Sequence, residues 1–567
     1  MDKAVLEKVS LWRNNPYLDK SLKDQIDQMT EEQLIDAFTD DISFGTAGLR
    51  GEIGAGSNRM NVPVVKKTTL GFYNYLVKRF ANALKMGVAI AYDPRRMSKE
   101  FSQEAAKVLA TRGMKVYIFS SLRPTPELSF TVRELKCCAG IMVTASHNPP
   151  QYNGYKVYDD SGCQLIPDLA DMVTKEINAV EDMFNIETKS FDELRKEGLI
   201  EVIDKEIDDK YISKVQSITV QNVQKDNIKV VYTPLHGTGS VFMVELLNKS
   251  GYSYVYPVKE QMVADSEFST LKLPNPEDPG AFKMAIELGE KIDADILIAT
   301  DPDADRMGIA AKNAEGKYQL LTGNQTGAIL LNYLAEHKAH DKNSYVYNTI
   351  VTSNIAKAIC EKKNLTLVQT LTGFKYIGEQ AALLEGTNKS FFFGYEESYG
   401  CVVAPFVRDK DSFQATLLLC EVASYYKGLG KTLVNVLEDI YAEYGYYVEG
   451  VENIALVGDA GTKKIKRIMK TFQEMYFDSL AGKKIVTSED YDKSLSVTNN
   501  QVSKITLPKS SVLRYIFEDG GWFALRPSGT EPKLKIYFAV KDDNKEKANN
   551  FISKLKEEVL SIVRGIE

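Results

Sequence analysis

Long apolar runs are missing from this 567-residue chain, and with them the roughly 18 consecutive apolar residues that a membrane-spanning helix requires. The N-terminal stretch MDKAVLEKVSLWRNN is charged from its second residue and lacks the apolar core of a secretory signal. No membrane is implied, and the expected compartment is the cytoplasm. Runs of one charge are missing too. Seventy basic residues against 77 acidic ones give a formal net charge of −7, without the basic stripe of a nucleic-acid-binding protein. The six cysteines, Cys137, Cys138, Cys163, Cys360, Cys401 and Cys420, show no C-x-x-C spacing and no accompanying histidine pair. Neither a zinc site nor a disulfide framework is indicated, and reduced, mostly buried thiols are expected.

What is present suits an ordinary globular protein, with 44% hydrophobic and 26% charged residues. The length exceeds what one core comfortably holds and predicts three or four domains. One unit recurs: a β-branched run, a polar turn, an amphipathic helical stretch and a second short apolar run, the βαβ pattern. It occurs at GVAIAYDPRRMSKEFSQEAAKVLATRGMKVYIF, with Ser98 expected as helix N-cap, and at IKVVYTPLHGTGSVFMVELLNKSGYSYVYPV from Ile228. A third copy starts at Tyr345, where Thr352, Ser353 or Asn354 is expected to cap the helix. From about Val451 the pattern turns to alternating strands and ends in a charged helical segment, as in a smaller α+β domain. The expected domains are 1–205, 206–322 and 323–450, all α/β, and 451–567, α+β.

The segment ILIATDPDADRMGIAA sets Asp301, Asp303 and Asp305 at period two between apolar strands. Three carboxylates so placed repel one another and need a cation, and oxygen-only ligands favour a hard ion such as Mg²⁺ or Ca²⁺. An EF-hand loop requires Gly at its sixth position and Glu at its twelfth, where this chain has Arg306 and Lys312. Read as a metal site, three protein ligands leave it open to a phosphoryl oxygen; the other reading is a solvated Asp-rich turn.

Other segments are ambiguous alone. IMVTASHNPPQYNGYKVY reads as a loop with a turn at Asn153-Gly154 and a serine, Ser146, that is either a nucleophile or part of the turn. RPSGTEPKLKIY offers Arg526, Ser528, Gly529 and Thr530 as a phosphate clamp or as a plain turn between strands. Glu396, Glu397 and Ser398 of FFFGYEESYG suit sugar hydroxyls or a solvated hairpin end. FGTAGLRGEIG brings Arg50 on a Gly-rich stretch that either approaches an anion or turns the chain. GLGKT at 428–432 lacks the leading glycine of a nucleotide-binding loop, having Tyr425 there, and reads as a helix end followed by a new helix. HGTGSVF has Phe242 where a dinucleotide fingerprint needs its third glycine.

Together, TASHNP, DPDADR, GYEES and RPSGTEPK resemble the α-D-phosphohexomutase family, in order and one per expected domain. The resemblance implies a heart-shaped four-domain α/β protein: three related α/β domains with mixed sheets and a C-terminal α+β domain around a central cleft. It implies Ser146 as a phosphoserine and Mg²⁺ held by that phosphoserine with Asp301, Asp303 and Asp305. Lys156 becomes the general base, with a pKa depressed by burial and neighbouring cations. His147 and Arg50 fall near the phosphoryl group, and Arg306 behind the metal loop. Glu396 and Ser398 contact sugar hydroxyls, Gly373 and Lys375 share in sugar choice, and Arg526, Ser528, Gly529 and Thr530 take the distal phosphate.

The implied reaction interconverts sugar 1-phosphate and 6-phosphate, primed by a sugar bisphosphate such as glucose 1,6-bisphosphate. GYEES resembles the phosphoglucomutase and phosphopentomutase branch. The expected partner is a phosphorylated sugar, with no nucleic acid or membrane, and the chain is expected to be a monomer or homodimer. Alternatives are a phosphomannomutase or phosphopentomutase with the same mechanism, a Mg²⁺-dependent phosphatase, and a non-catalytic sugar-phosphate binder. The chemistry is consistent: a free serine hydroxyl is a weak nucleophile, and no Ser-His-Asp arrangement is recognisable to activate it.

Overall fold

The all-apolar run Val88–Tyr92 has no polar face to offer solvent, so it is stable only when covered on both sides. In the computed structural model of the protein it is a central strand, and every one of its residues is buried. The structure describes residues 1–45, 48–456, 458–528 and 533–566. The chain forms two compact units, Met1–Gly323 with Phe374–Thr432, and Asn324–Gly373 with Leu433–Glu567.

The first sheet of the first unit has six strands: β1 (Leu49–Glu52), β2 (Val88–Tyr92), β3 (Val116–Phe119), β4 (Ala139–Val143), β5 (Tyr152–Tyr158) and β6 (Ile200–Ile203). Their order is β1-β5-β4-β2-β3-β6. The pairs β2–β3, β2–β4 and β3–β6 are parallel, and β4–β5 and β1–β5 antiparallel, so the sheet is mixed. Helices at Ser98–Thr111 and Thr125–Glu134 make the crossovers. Ser98 is the first helical residue and not the N-cap expected from sequence. Met97, in the left-handed conformation, precedes it, and the Ser98 hydroxyl is drawn to Asp93 at 2.8 Å.

The second sheet holds β7 (Val230–Thr233), β8 (Val255–Pro257), β9 (Ile296–Thr300), β10 (Met307–Lys312) and β11 (Tyr318–Leu321), in the order β11-β10-β9-β7-β8. β7 runs parallel to β8 and β9, while β9–β10 and β10–β11 are antiparallel. Later in the unit Ser390–Tyr395 pairs antiparallel with Cys401–Val402, and a long buried helix, Ser412–Gly428, follows. Gly430 adopts φ +74° beyond it, so GLGKT is a helix end before the helix Leu433–Tyr444.

Three helices outside the βαβ pattern open the chain: Lys3–Asn14, Lys20–Gln28 and Glu31–Phe38. Their core centres on Trp12, which meets Phe38 and Phe184 edge-on at 5.6 and 5.2 Å.

In the second unit Ser344–Thr349 and Thr366–Thr370 are parallel, joined by the helix Ile355–Lys362. Asn354 takes the N-cap position there without a side-chain cap bond. An antiparallel sheet follows, in which Lys533–Asp542 pairs with both Tyr446–Ala455 and Trp522–Pro527. The helices Gly458–Glu474 and Lys545–Arg564 accompany it, the first within a stretch expected to hold only alternating strands. All six cysteines are buried free thiols, and among the described residues no helix is long and apolar enough to cross a membrane.

Candidate active site

Ser146 lies just beyond the C-terminal end of β4, and Asp301–Arg306 form the hairpin loop from β9 to β10. Parallel strands present such loops at their carboxyl ends, where α/β proteins build their sites. The Ser146 hydroxyl donates to Asp301 Oδ2 at 2.8 Å, and its oxygen is 3.2 Å from His147 Nδ1. Asp301 Oδ1 accepts the backbone N–H groups of Asp305 and Arg306 at 3.1 and 3.0 Å, which folds the loop back on its first residue. Ala304 completes the turn with φ +51°.

Asp301, Asp303 and Asp305 are 0%, 0% and 2% exposed, and one oxygen of each lies within 4.8 Å of the others. Asp303 Oδ1 and Asp305 Oδ1 are buried and accept no hydrogen bond. A buried carboxylate oxygen left so is costly, and a hard cation satisfies it. The donor set fits Mg²⁺ on that ground. Burial and the two neighbouring carboxylates push the Asp301 carboxyl well above its usual range. For Asp303 burial acts in the same direction, but the Lys156 ammonium and the bonds from Lys156 and Thr125 outweigh it and hold the group low.

Lys156, on β5, donates to Asp303 Oδ2 at 2.7 Å and lies 3.6 Å from Asp305. Burial alone lowers its pKa, yet Asp303 and Asp305 raise it overall. The lysine pKa is therefore raised where the sequence reading expected it depressed, because Lys156 is the counter-ion of Asp303 and Asp305. Arg50, on β1 opposite Gly154, donates to Asn148 Oδ1 at 3.0 Å. His147 is held well below its usual pKa by burial and then by Arg306 and Arg50, so it is neutral. The turn expected at Asn153-Gly154 lies inside β5; the chain reverses earlier, through Asn148 N–H to Ala145 O and Tyr152 N–H to Pro149 O. Gly154 is required there because a Cβ would fall 2.5 Å from Thr144 O and 2.8 Å from Leu49 O.

Glu396 to Gly400 run alongside the aspartate loop, with Met307 N–H donating to Tyr399 O at 3.0 Å. Glu396 is buried, and its carboxyl is pushed up to about 7 by burial, with Lys410 and Arg306 opposing and Glu397 adding to the rise. Ser398 hydrogen-bonds it. Arg306 donates to Glu277 at 2.9 Å. Lys375 is near the start of the helix Phe374–Leu383, where its carbonyl accepts the Cys163 thiol. Gly373, Arg526 and Ser528 belong to the second unit: Gly373 has φ +118°, Arg526 Nη1 is 3.5 Å from the Tyr537 hydroxyl, and Ser528 N–H donates to Lys533 O. Gly529 and Thr530 lie outside the described residues.

Lys410, Asp409 and Thr125 escaped the sequence reading. Lys410 Nζ lies 3.2 Å from Asp305 and 3.1 Å from Asp409, which in turn accepts the Tyr158 hydroxyl. Its stem passes Gly400 so closely that a Cβ there would meet Lys410 Cδ at 2.0 Å. Thr125 pins the aspartate loop through its N–H to Asp303 O at 2.9 Å and its hydroxyl to Asp303 Oδ2 at 2.8 Å. Their one signal in sequence is charge or hydroxyl beside apolar runs, as in APFVRDKDSFQATLLL.

Three α/β domains with mixed sheets, followed by one with an antiparallel sheet, place the protein among the phosphohexomutases, which are isomerases. Residues 41–183, 209–316 and 322–444 match the phosphoglucomutase/phosphomannomutase alpha/beta/alpha domains I, II and III, and residues 478–550 the C-terminal domain. The chain is 39% identical over 530 residues to a phosphoglucomutase of Staphylococcus epidermidis, covering 93% of this chain and 96% of that one. The crystal structure of the Paramecium phosphoprotein pp63/parafusin, a phosphoglucomutase in open form, superposes with a TM-score of 0.68 at 19% identity, over 92% and 95% of the two chains. An Aspergillus fumigatus N-acetylphosphoglucosamine mutase, solved with GlcNAc-6P and magnesium, reaches 0.50 at 15% identity over 99% and 100%. The chain belongs to the phosphoglucomutase/phosphomannomutase family, the α-D-phosphohexomutases.

Proposed function

We propose that the protein is a phosphoglucomutase-type enzyme, interconverting sugar 1-phosphate and 6-phosphate through a phosphoserine at Ser146 and a sugar 1,6-bisphosphate. The observation that carries this reading is the Ser146 hydroxyl 2.8 Å from Asp301 in a buried three-carboxylate cluster. The full-length relative named phosphoglucomutase supports glucose as the sugar. Mannose and pentose phosphates are the alternatives for the same site.

Phosphoserine 146 gives its phosphoryl group to the free hydroxyl of the bound sugar phosphate, leaving the serine oxygen as acceptor for the return transfer. Lys156 takes the proton of the attacking hydroxyl and returns it to the leaving oxygen in the second transfer. His147, neutral beside the serine, and Arg50, on the strand paired with β5, line the phosphoryl group. Asp301, Asp303, Asp305 and the phosphoserine would hold Mg²⁺, which would supply positive charge to the phosphoryl oxygens and free Lys156 from its role as counter-ion of the aspartates. Arg306 stands behind that loop. Glu396 and Ser398 accept and donate hydrogen bonds to the sugar hydroxyls, and Gly373 and Lys375 share in sugar choice. Arg526, Ser528, Gly529 and Thr530 hold the phosphate that is not being transferred. The magnesium seen with the Aspergillus mutase agrees with the oxygen donor set.

The test supplies Mg²⁺ and bisphosphate primer with glucose, mannose and ribose 1-phosphates in turn. Isomer formed fastest from glucose 1-phosphate is expected. Free phosphate accumulating in place of isomer would sink the mutase reading.

A further inference from the structure

Ser146 has φ +52°, a left-handed conformation that a residue with a side chain keeps only when its surroundings enforce it. The enforcing group lies one loop away. Arg95 follows β2, and its side chain is wholly shielded from solvent, as is that of Asp93. Nη2 donates to Ser146 O and Asn148 O, each at 2.5 Å. Nη1 donates to Pro149 O at 2.8 Å and Tyr152 O at 3.1 Å. Nε faces Asp93 Oδ2 at 3.2 Å, too poorly aligned for a hydrogen bond but close enough for charge to act. The Phe268 ring, on the loop after β8, lies against the guanidinium, 5.0 Å from Cζ to centroid.

The other end of the same network holds the serine's amide. Ser146 N–H donates to Thr144 Oγ1 at 2.8 Å, and that hydroxyl donates to Asp93 Oδ2 at 2.6 Å. Asp93 also accepts Arg95 N–H and the Ser98 hydroxyl. The N–H of Ser146, through Thr144, and its C=O, through Arg95, are therefore both tied to one buried carboxylate. Only the serine's side-chain torsion stays free, and it points the hydroxyl at Asp301.

We propose that Arg95 is a positioning residue, anchored by Asp93 and Thr144, that sets the Ser146 hydroxyl for phosphoryl transfer; this rests on Ser146 being the phosphoryl carrier. A planar guanidinium with five N–H groups can span four carbonyls and a carboxylate, whereas a lysine ammonium offers three donors from one atom. Misplacing a reacting atom by about 1 Å costs on the order of 100-fold in rate.

The test compares Arg95→Lys, Thr144→Val and Thr144→Ser with the wild type in kcat, KM and the rate at which bisphosphate primer phosphorylates Ser146. Arg95→Lys and Thr144→Val are expected to lower kcat and the loading rate together, by about 10- to 100-fold, with KM for the sugar phosphate near wild type. Thr144→Ser, which keeps the hydroxyl, is expected to recover most of the rate. A purely structural role would lower the folded fraction and leave kcat per folded molecule unchanged. Should Arg95→Lys not fold, the nearly isosteric Thr144 pair decides. Wild-type kcat and loading in Thr144→Val overturn the proposal. Ser146→Ala is run alongside: transfer that survives in Ser146→Ala defeats the carrier reading itself, whereas an inactive Ser146→Ala with unaffected Arg95→Lys and Thr144→Val defeats only the positioning role.

Discussion

The Ser146 hydroxyl and the Asp301 carboxyl, 155 positions apart in the chain, meet at 2.8 Å. This bond brings the loop after β4 to the loop after β9 and joins a serine that its own segment left ambiguous to the loop read as a metal site. Around it, two aspartate oxygens are buried without a hydrogen bond. Mg²⁺ binding should therefore stabilise the protein, by about 2.7 kcal/mol at a concentration 100 times its Kd. A thermal shift with added Mg²⁺ measures this, and Asp303→Asn or Asp305→Asn should abolish the shift. Because the Asp301 carboxyl is raised and must ionise to bind a cation, the shift should shrink as the pH falls.

Lys156→Met separates the two roles of the lysine. As the proposed base its loss should lower kcat by on the order of 10²- to 10⁴-fold with little change in KM. As a buried counter-ion its loss leaves Asp303 uncompensated, which destabilises a protein by roughly 3–5 kcal/mol. Urea unfolding should show that destabilisation without Mg²⁺ and its partial recovery with Mg²⁺. A variant with wild-type kcat removes Lys156 as the base.

Glu396 sets a pH dependence. Its carboxyl, pushed up to about 7, is protonated below that pH and ionised above it. The carboxylate is the better acceptor for sugar hydroxyls, so kcat/KM should rise as the pH increases through about 7. Glu396→Gln, which cannot ionise, should flatten this limb. An unchanged limb in that variant assigns the titration elsewhere.

Arg526→Ala should act on binding. Hydrogen bonds to charged groups are worth about 1.5–3 kcal/mol, so KM for the sugar phosphate should rise by roughly tenfold or more. Unchanged KM and kcat would remove the phosphate clamp from the mechanism.

The βαβ segments were legible in sequence because both of their signals are local: buried strands such as Val88–Tyr92 are apolar throughout, and the crossover helices carry their own periodicity. The aspartate loop was legible because three carboxylates at period two between apolar strands repel one another unless a cation joins them. Asn153-Gly154 misled because Asn-Gly is a strong turn signal, whereas here glycine serves the close approach of Thr144 and Leu49 inside a strand. The helix Gly458–Glu474 was missed in a region read for strand alternation. Thr125, Lys410 and Arg95 lie far in sequence from what they hold, and their partners are mostly backbone carbonyls or distant carboxylates. No local pattern marks such a residue. The protonated state of Lys156 was also beyond sequence, because it follows from its 2.7 Å contact with Asp303.

The whole mechanism turns on Ser146 carrying the phosphoryl group. Incubating the protein with glucose 1,6-bisphosphate and Mg²⁺, and then measuring intact and peptide masses, tests this directly. One added phosphoryl group is expected, located on the peptide that contains Ser146 and lost again when sugar 1-phosphate is supplied. A phosphoryl group on another residue, or isomerisation by a protein that is never phosphorylated, would contradict it.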